Sequence, residues 1–304
     1  MKKLLYLCFI MIVSGICFAY KDELILLYHD VSNYFMKEDI QVTKNDYYRD
    51  YNFLYLSNTD TFEPHSEQDI VNIFYTVINS GLDSFTFYCP KDYSDCTSVV
   101  AEIANDQTRL SHINNFVHPY NSFKHIETQF SSVGEVKITI DRSYTADDIS
   151  AINAKVDEIY NLIVDPNASS TANIKTIHDY IINNSKYDSQ RSDYNIISYK
   201  SDLAYGPLIQ GYGICGGYSD AMQLFLEKLN IKNYKISSDS HVWNAVYLND
   251  EWYHLDLTWD DPVTSNNSNI LQDDFLLITT NELLQKEVKE HNFNQDIYLE
   301  FRQN

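Results

Sequence analysis

Four glycines lie within seven positions of this chain and flank one cysteine. They are Gly211, Gly213, Gly216 and Gly217 around Cys215, in the stretch GYGICGGYSDAMQLFLEKL. The whole chain of 304 residues has only 8 glycines. Glycine lets a backbone turn tightly and lets other groups approach it closely. The cluster therefore predicts either a tight turn packed around a small buried thiol or a backbone that admits a substrate carbonyl to that thiol.

The residues after Cys215 have the pattern of a helix packed on a core. The apolar positions are Tyr218, Ala221, Met222, Phe225, Leu226 and Leu229. Asn230 is a suitable stop for this helix. Cys215 would then lie at the helix N-terminus, where free N–H groups and the helix dipole stabilise an anion such as a thiolate. Backbone N–H groups of the turn, including that of Cys215, could also donate to an oxyanion.

A β-hairpin is predicted further along the chain. The segments HVWNAVYL and EWYHLDLTW flank Asn249-Asp250, a typical two-residue turn. With that turn, Asp256 pairs with Trp243 and is the diagonal neighbour of His241 on the same face. Diagonal Cβ atoms are about 7–8 Å apart, which is within reach of side chains. The register therefore predicts contact between the Asp256 carboxylate and the His241 imidazole.

Such a pair would supply what a thiol nucleophile needs, which is a base and a group that orients the base. The carboxylate would bond one nitrogen of His241 and leave the other nitrogen for Cys215. His254 lies on the same face of the hairpin and is the alternative base, although its pattern favours a half-exposed strand histidine. Replacement of Asp256 by asparagine is expected to harm activity less than loss of Cys215 or His241, because an amide can still accept a hydrogen bond.

Two segments together resemble the core of the transglutaminase-like superfamily of thiol enzymes. They are YGPLIQGYGICGGYSDAMQLFLEKLNI and SHVWNAVYLNDEWYHLDLTWDDP. The preceding IKTIHDYIINNSKYD resembles the lead-in helix of the family, and the later DDFLLITTNELL resembles a tail common in bacterial members, so the resemblance covers roughly residues 145 to 285. It implies an α+β, papain- or transglutaminase-like core with the cysteine at a helix N-terminus packed on an antiparallel sheet. It also implies catalytic roles for Cys215 as nucleophile, His241 as base and Asp256 as the orienting group.

The activity that this resemblance implies is attack on peptide or carboxamide bonds through an acyl-thioester. Hydrolysis, as in a cysteine peptidase or amidase, is favoured by resemblance to bacterial members. Two alternatives remain open: a protein-glutamine acyltransferase that cross-links its substrates, and a non-catalytic surface binding module with a vestigial site. The expected partner is a peptide or protein substrate, for which a cell-surface protein is one source.

Three regions are predicted along the chain. Residues 1–19 have the layout of a secretory signal peptide, with Lys2 and Lys3, an apolar run and a small-residue end at Ala19. Residues 20–140 form an N-terminal α+β domain of unknown role, and residues 141–304 form the transglutaminase-like domain with its C-terminal tail. Within these regions, apolar spacing predicts helices near 70–78, 146–163 and 171–184. The chain is thus expected to be secreted or surface-associated, with no stable membrane span after cleavage.

The acidic charge and the motif content restrict the function classes. The formal net charge is −21, with no Lys/Arg run, so nucleic acid is not an expected partner. The chain lacks the HExxH, Walker, GxSxG and EF-hand patterns. Neither a metal nor a cofactor is expected, and calcium activation is not supported.

Three cysteines remain after signal cleavage. Cys89 and Cys96 lie close together in YCPKDYSDC, and a local disulfide between them is expected in an exported chain. Two reduced structural cysteines are the alternative. Cys215 is then the odd cysteine, and it is expected to be free.

Overall fold

The structure is a computed structural model that describes residues 42–132, 134–263 and 270–302, together with 11–16, 18–21, 23, 24 and 27. Of the predicted signal peptide, residues 1–10 and 17 lie outside the described residues. Within the described ranges, no helix has both the length and the apolar character needed to cross a membrane.

The fold combines α-helices with short sheets, two of them antiparallel and one parallel, within the described residues. Within the described ranges 42–132, 134–263 and 270–302, the α-helices are α1 (Glu67–Asn79), α2 (Cys96–Asn105), α3 (Gln107–Asn115), α4 (Ala146–Ile163), α5 (Ser170–Asn184), α6 (Ser189–Tyr194), α7 (Cys215–Lys228), α8 (Leu257–Asp260) and α9 (Thr280–Gln285). Short 3₁₀ turns cover Pro119–Asn121, Lys289–His291 and Leu299–Phe301, and a π-helical turn covers Gly206–Gln210.

The strands form three small sheets. They are β1 (Ser84–Tyr88), β2 (Phe123–Phe130), β3 (Glu135–Arg142), β4 (Lys186–Tyr187), β5 (Tyr212–Gly213), β6 (Asn233–Ser237), β7 (Val242–Leu248) and β8 (Glu251–Leu255). One antiparallel sheet has the order β1-β3-β2, the short pair β4-β5 is parallel, and the third sheet has the antiparallel order β6-β7-β8.

The N-terminal region is built from α1 to α3 and the β1-β3-β2 sheet. Helix α1 begins after Ser66, whose hydroxyl accepts the backbone N–H of Asp69, and it ends just before Gly81, which has a φ of 74°. The helices predicted near 70–78, 146–163 and 171–184 are confirmed as α1, α4 and α5. Cys89 and Cys96 are joined in a disulfide that links the end of β1 to the start of α2, with Cα atoms 5.7 Å apart, and Cys215 is a free cysteine, as expected.

One hydrophobic core cluster contains side chains from both sides of residue 140. Phe53 and Phe116 from the N-terminal region pack with Tyr234 of β6, and the same cluster contains Trp243 of β7. A second cluster fills the space between α4, α5 and α7. The division of the chain at residue 140 stays a prediction, but the two regions share apolar packing.

Helix α7 packs on the β6-β7-β8 sheet, and this arrangement positions the predicted site residues. The helix ends where Asn230 adopts a φ of 57°. The predicted α+β class is confirmed, and a helix that starts at Cys215 lies against an antiparallel sheet, as expected.

Candidate active site

Cys215 is the first residue of α7, and its side chain is partly exposed. Helices α1, α3, α4 and α5 each have a side-chain cap, but among the described residues no side chain caps the start of α7 after Ile214. The N–H groups of the first helical turn have no partner within the helix. An uncapped helix start next to the thiol therefore favours negative charge at Cys215 or on a substrate oxygen beside it.

The two glycines that follow Cys215 face the protein's own backbone. A Cβ atom on Gly217 would lie 2.2 Å from the carbonyl oxygen of Ser201, and one on Gly216 would lie 3.0 Å from that of Asp202. Ser201 O also accepts the N–H of Ile214 at 2.8 Å, which fixes the residue before the thiol. Close packing, one of the two alternatives for this cluster, therefore applies at Gly216 and Gly217, because a segment of the same chain occupies the space beside them.

The predicted hairpin register is confirmed. Asn249 and Asp250 form the turn with φ values of 51° and 65°, and Leu248 pairs with Glu251. The ladder continues to the ends of both strands and brings His241 and Asp256 together. His241 Nε2 lies 2.6 Å from Asp256 Oδ2, so one imidazole nitrogen is used by the carboxylate and Nδ1 remains for the thiol.

The electrostatics of His241 favour the imidazolium form. Burial alone would lower the pKa of His241, but the Asp256 carboxylate and the interaction with Cys215 outweigh burial and raise it to about 10. For Asp256, burial would raise the pKa, whereas the two histidines that contact it, first His241, hold that pKa well below its usual range. The arrangement therefore suits an imidazolium at His241 that is backed by an ionised Asp256 carboxylate.

Two side chains attach α7 to β7 directly. Ser219 Oγ donates to the carbonyl oxygen of Val242 at 3.1 Å, and Asn244 Nδ2 donates to the carbonyl oxygen of Ser219 at 2.9 Å. The residues that form these two bonds are within a few positions of Cys215 or His241 in the sequence. They therefore fix the helix that carries the thiol against the strand that follows the base.

His254 is a buried residue of the same hairpin and is not among the described residues that line the cleft beside Cys215. Its Nδ1 accepts the indole N–H of Trp243 at 3.0 Å, and its Nε2 lies 3.2 Å from Thr280 Oγ1. Trp243 in turn stacks on the His241 ring at 5.7 Å between centroids. The expectation of a half-exposed histidine is wrong, because the tail residues Phe293 and Phe301 cover this ring.

Protein stability should depend on pH through His254. Burial and the nearby His291 lower its pKa to about 3, far below the ordinary value of about 6.5 in an unfolded chain. As the pH falls, the unfolded chain binds a proton on His254 before the folded protein does. The contribution of neutral His254 to the free energy of unfolding is therefore complete well above pH 6.5 and is lost as the pH falls toward about 3. At pH 5 the loss from this one group is about 2 kcal/mol.

Denaturant unfolding at about pH 7 and about pH 5 tests this prediction with His254→Gln beside the wild type. Glutamine can accept the Trp243 N–H and does not titrate. Other buried histidines will give both proteins some pH dependence, so the difference between the two slopes is the relevant measurement. Equal losses of unfolding free energy in both proteins would contradict the prediction.

The Asp256 carboxylate accepts four hydrogen bonds, two on each oxygen. Oδ1 accepts the backbone N–H groups of Thr258 and Trp259 at 2.9 and 3.3 Å, and Oδ2 accepts from His241 and also from His291 Nε2 at 2.8 Å. The sequence patterns do not indicate His291, because it lies beyond the hairpin and outside the stretch of roughly residues 145 to 285 that resembles the superfamily.

His241, Asp256 and His291 also have the composition of a metal-ligand set. Their ligand atoms all lie within 4.8 Å of one another. The direct N···O distances of 2.6 and 2.8 Å are those of hydrogen bonds. Two ligands of one tetrahedral zinc ion, each about 2.0–2.2 Å from the metal, would lie about 3.3 Å apart. The geometry therefore fits a hydrogen-bonded group better than a metal centre.

A cleft of about 660 Å³ opens beside Cys215 and His241. Helix α3 of the N-terminal region forms one wall, and the loop before β7 forms another. The polar lining residues are Thr108, Ser111, His112, Asn114, Asn115, Lys235, Ser237, Ser238, Asp239 and Ser240. The N-terminal region thus contributes directly to the surroundings of the thiol, which the sequence patterns did not indicate.

Comparison with known proteins places the site within a described family segment. Residues 157–257 match the model of the Transglutaminase-like superfamily, and this segment contains Cys215, His241 and Asp256. The segment is therefore transglutaminase-like, and the resemblance predicted from the sequence is confirmed there. No curated protein matches the chain.

Two solved structures are similar to parts of the chain. One is a TGase, with 11% identity and a TM-score of 0.32 over 48% of this chain and 48% of that one. The other is a candidate cysteine protease from Cytophaga hutchinsonii, with 13% identity and a TM-score of 0.28 over 45% of this chain and 62% of that one. The chain thus spans less than two thirds of either structure.

Proposed function

We propose that this chain is an exported thiol hydrolase that cleaves peptide or carboxamide bonds through Cys215, His241 and Asp256. The observation that carries the proposal is the 2.6 Å contact between His241 and Asp256, beside a cleft that Cys215 and His241 line together. The disulfide between Cys89 and Cys96 supports export, since such bonds persist in oxidising compartments.

The proposed reaction has two steps. Cys215 Sγ attacks the substrate carbonyl carbon and forms a C–S bond, and the C–N bond breaks as the leaving amine takes a proton from the His241 imidazolium. Water then attacks the thioester, His241 takes the proton of that water, and the acid is released with the thiol restored. The backbone N–H of Cys215, at the uncapped start of α7, is the candidate donor to the oxyanion.

The lining of the cleft favours water over an amine as the second reactant. None of the described residues that line it is Phe, Tyr or Trp, and most carry hydroxyl or amide groups. A polar cleft holds ordered water, whereas preference for an amine requires that water be excluded from the thioester. Acyl transfer to an amine on a protein substrate is the second candidate, because it shares the first step and the same three residues.

One assay separates these activities. The purified chain and its Cys215→Ala variant are incubated with a peptide and protein library in the presence of a fluorescent primary amine. A new carboxylic acid at the attacked carbonyl would identify hydrolysis, and amine incorporation there would identify transfer, whereas released ammonia or amine accompanies both because it leaves in the shared first step. We expect hydrolysis products that depend on Cys215 to exceed incorporated amine. Excess incorporation would favour the acyltransferase, and the absence of any Cys215-dependent product would favour a binding module.

A further inference from the structure

His291 contacts the candidate site from the tail of the chain, outside the segment that matches the superfamily model. It ends the 3₁₀ turn Lys289–His291, and its side chain is 2% exposed. Its Nε2 lies 2.8 Å from the same Asp256 oxygen that His241 contacts. The tail therefore supplies a second imidazole to the orienting carboxylate.

The hydrogen bond to Asp256 is the one polar interaction described for the His291 side chain. The ring packs among Trp243, Trp259 and Phe275, with centroid distances of 5.0, 5.4 and 4.9 Å. Its Nδ1 is buried and has no hydrogen-bond partner among the described residues. A buried imidazole nitrogen without a hydrogen-bond partner lowers the free energy of unfolding. Phenylalanine would fill the same aromatic surroundings without an unpaired polar atom, so packing alone does not explain a histidine here.

The Asp256 carboxylate is fixed by donors on both of its oxygens. Backbone N–H groups hold Oδ1, and the two imidazoles hold Oδ2. Rotation of the carboxylate would break bonds on both sides at once. Without His291, Oδ2 would have His241 alone, and the carboxylate would be less well defined in position where it orients the base.

We propose that His291 is a positioning residue of the candidate active site, whose Nε2–H holds Asp256 in the orientation that aligns His241 with Cys215. The inference rests on the proposed function and adds a fourth side chain to its machinery. His291 acts through Asp256 and is not among the described residues that line the cleft. The titratable groups that face it are Asp256, His241 and the buried His254.

The rate of Cys215 alkylation by iodoacetamide at different pH values tests this role without a known substrate. The alkylation site is read by peptide mass spectrometry. In the wild type, pairing with His241 should keep the thiol reactive at about pH 6, well below the ordinary cysteine pKa of about 8.5. His291→Phe fills the aromatic cage but cannot donate to Asp256. We expect it to reduce the rate at about pH 6 by about 10-fold or more, whereas the ratio to wild type should approach one at about pH 9.5, where most thiols ionise unaided.

Two further variants complete the comparison. His291→Gln places an amide N–H near the position of imidazole Nε2, so it should recover most of the rate at about pH 6. His254→Gln changes a neighbouring buried histidine that does not contact Asp256, and it should leave the alkylation profile unchanged. If His291→Phe does not fold, His291→Met provides the same loss of the donor.

The outcomes separate this role from a purely structural one. A reduced rate confined to low pH, with recovery in His291→Gln, would support the positioning role. Equal rates in wild type and His291→Phe at all pH values, or the same reduction at about pH 6 and about pH 9.5, would overturn it. A wild-type thiol no more reactive at about pH 6 than free cysteine would overturn the proposed function, and with it this role of His291.

Discussion

Replacing Cys215 by alanine is expected to abolish turnover of any substrate found for this chain. The expected loss is about four to six orders of magnitude in kcat, because no other described nucleophile lies at the uncapped start of α7. The measurement is turnover of a substrate validated with the wild type. Full activity in Cys215→Ala would show that the thiol mechanism is wrong.

His241→Ala should be nearly as damaging as Cys215→Ala, and the double variant should be no worse than either single one. Nucleophile and base act as a unit, so their losses do not add. His254→Gln is the matched control, because His254 lies on the same face of the hairpin but bonds Trp243 and Thr280 instead of Asp256. If His254→Gln abolished activity while His241→Ala were tolerated, the base would be misassigned although the enzyme class would stand.

Asp256→Asn should be more harmful than the sequence alone predicts. An asparagine has one oxygen, whereas Asp256 accepts N–H donors on both of its oxygens. If the amide oxygen faces the histidines, its NH₂ group opposes the N–H of Thr258; if it faces the helix, its NH₂ group opposes two imidazole donors. Kinetic comparison with Asp256→Ala checks this, and near wild-type kcat in Asp256→Asn would contradict it.

Local patterns were sufficient to predict the residues that share one helix or one hairpin. The position of Cys215 follows from the apolar stripe of α7, and the contact between His241 and Asp256 follows from the parity of a two-residue turn. Both inferences depend only on periodicities of the chain over short distances. This is why the helix bounds and the hairpin register were predictable without knowledge of the tertiary packing.

The missed features depend on contacts between distant segments. His291 reaches Asp256 across 35 positions, and Asn115 of α3 meets Ser237 at the end of β6 across 122. No periodicity within either segment reports such a contact. His254 was expected to be half exposed because the strand pattern alone does not reveal that Phe293 and Phe301 of the tail will cover it. A search for polar residues beyond the hairpin could have found His291 as a candidate, but not its partner.

Gly217→Ala is expected to destabilise the protein and to displace the thiol. The added Cβ would lie 2.2 Å from Ser201 O and 2.9 Å from Leu203 O, both of them backbone atoms. Ser201 O also holds the N–H of Ile214, so any shift that relieves the clash moves the residue next to Cys215. The clash is expected to cost about 3 kcal/mol of unfolding free energy. The higher helix propensity of alanine would offset only about 1 kcal/mol of that cost.

Gly216→Ala is the control for this variant, since it lies in the same helical turn and its Cβ would meet one backbone oxygen, that of Asp202, at 3.0 Å. Denaturant unfolding should rank Gly217→Ala well below Gly216→Ala in stability. Alkylation of Cys215 should be slowed more in Gly217→Ala, because that variant displaces the carbonyl that fixes Ile214. If Gly217→Ala were as stable and as reactive as the wild type, close packing against the 201–203 segment could not be the reason for glycine at this position. The expected result would show that glycine is needed at position 217 for close packing, and that this packing positions the Cys215 thiol relative to the hairpin.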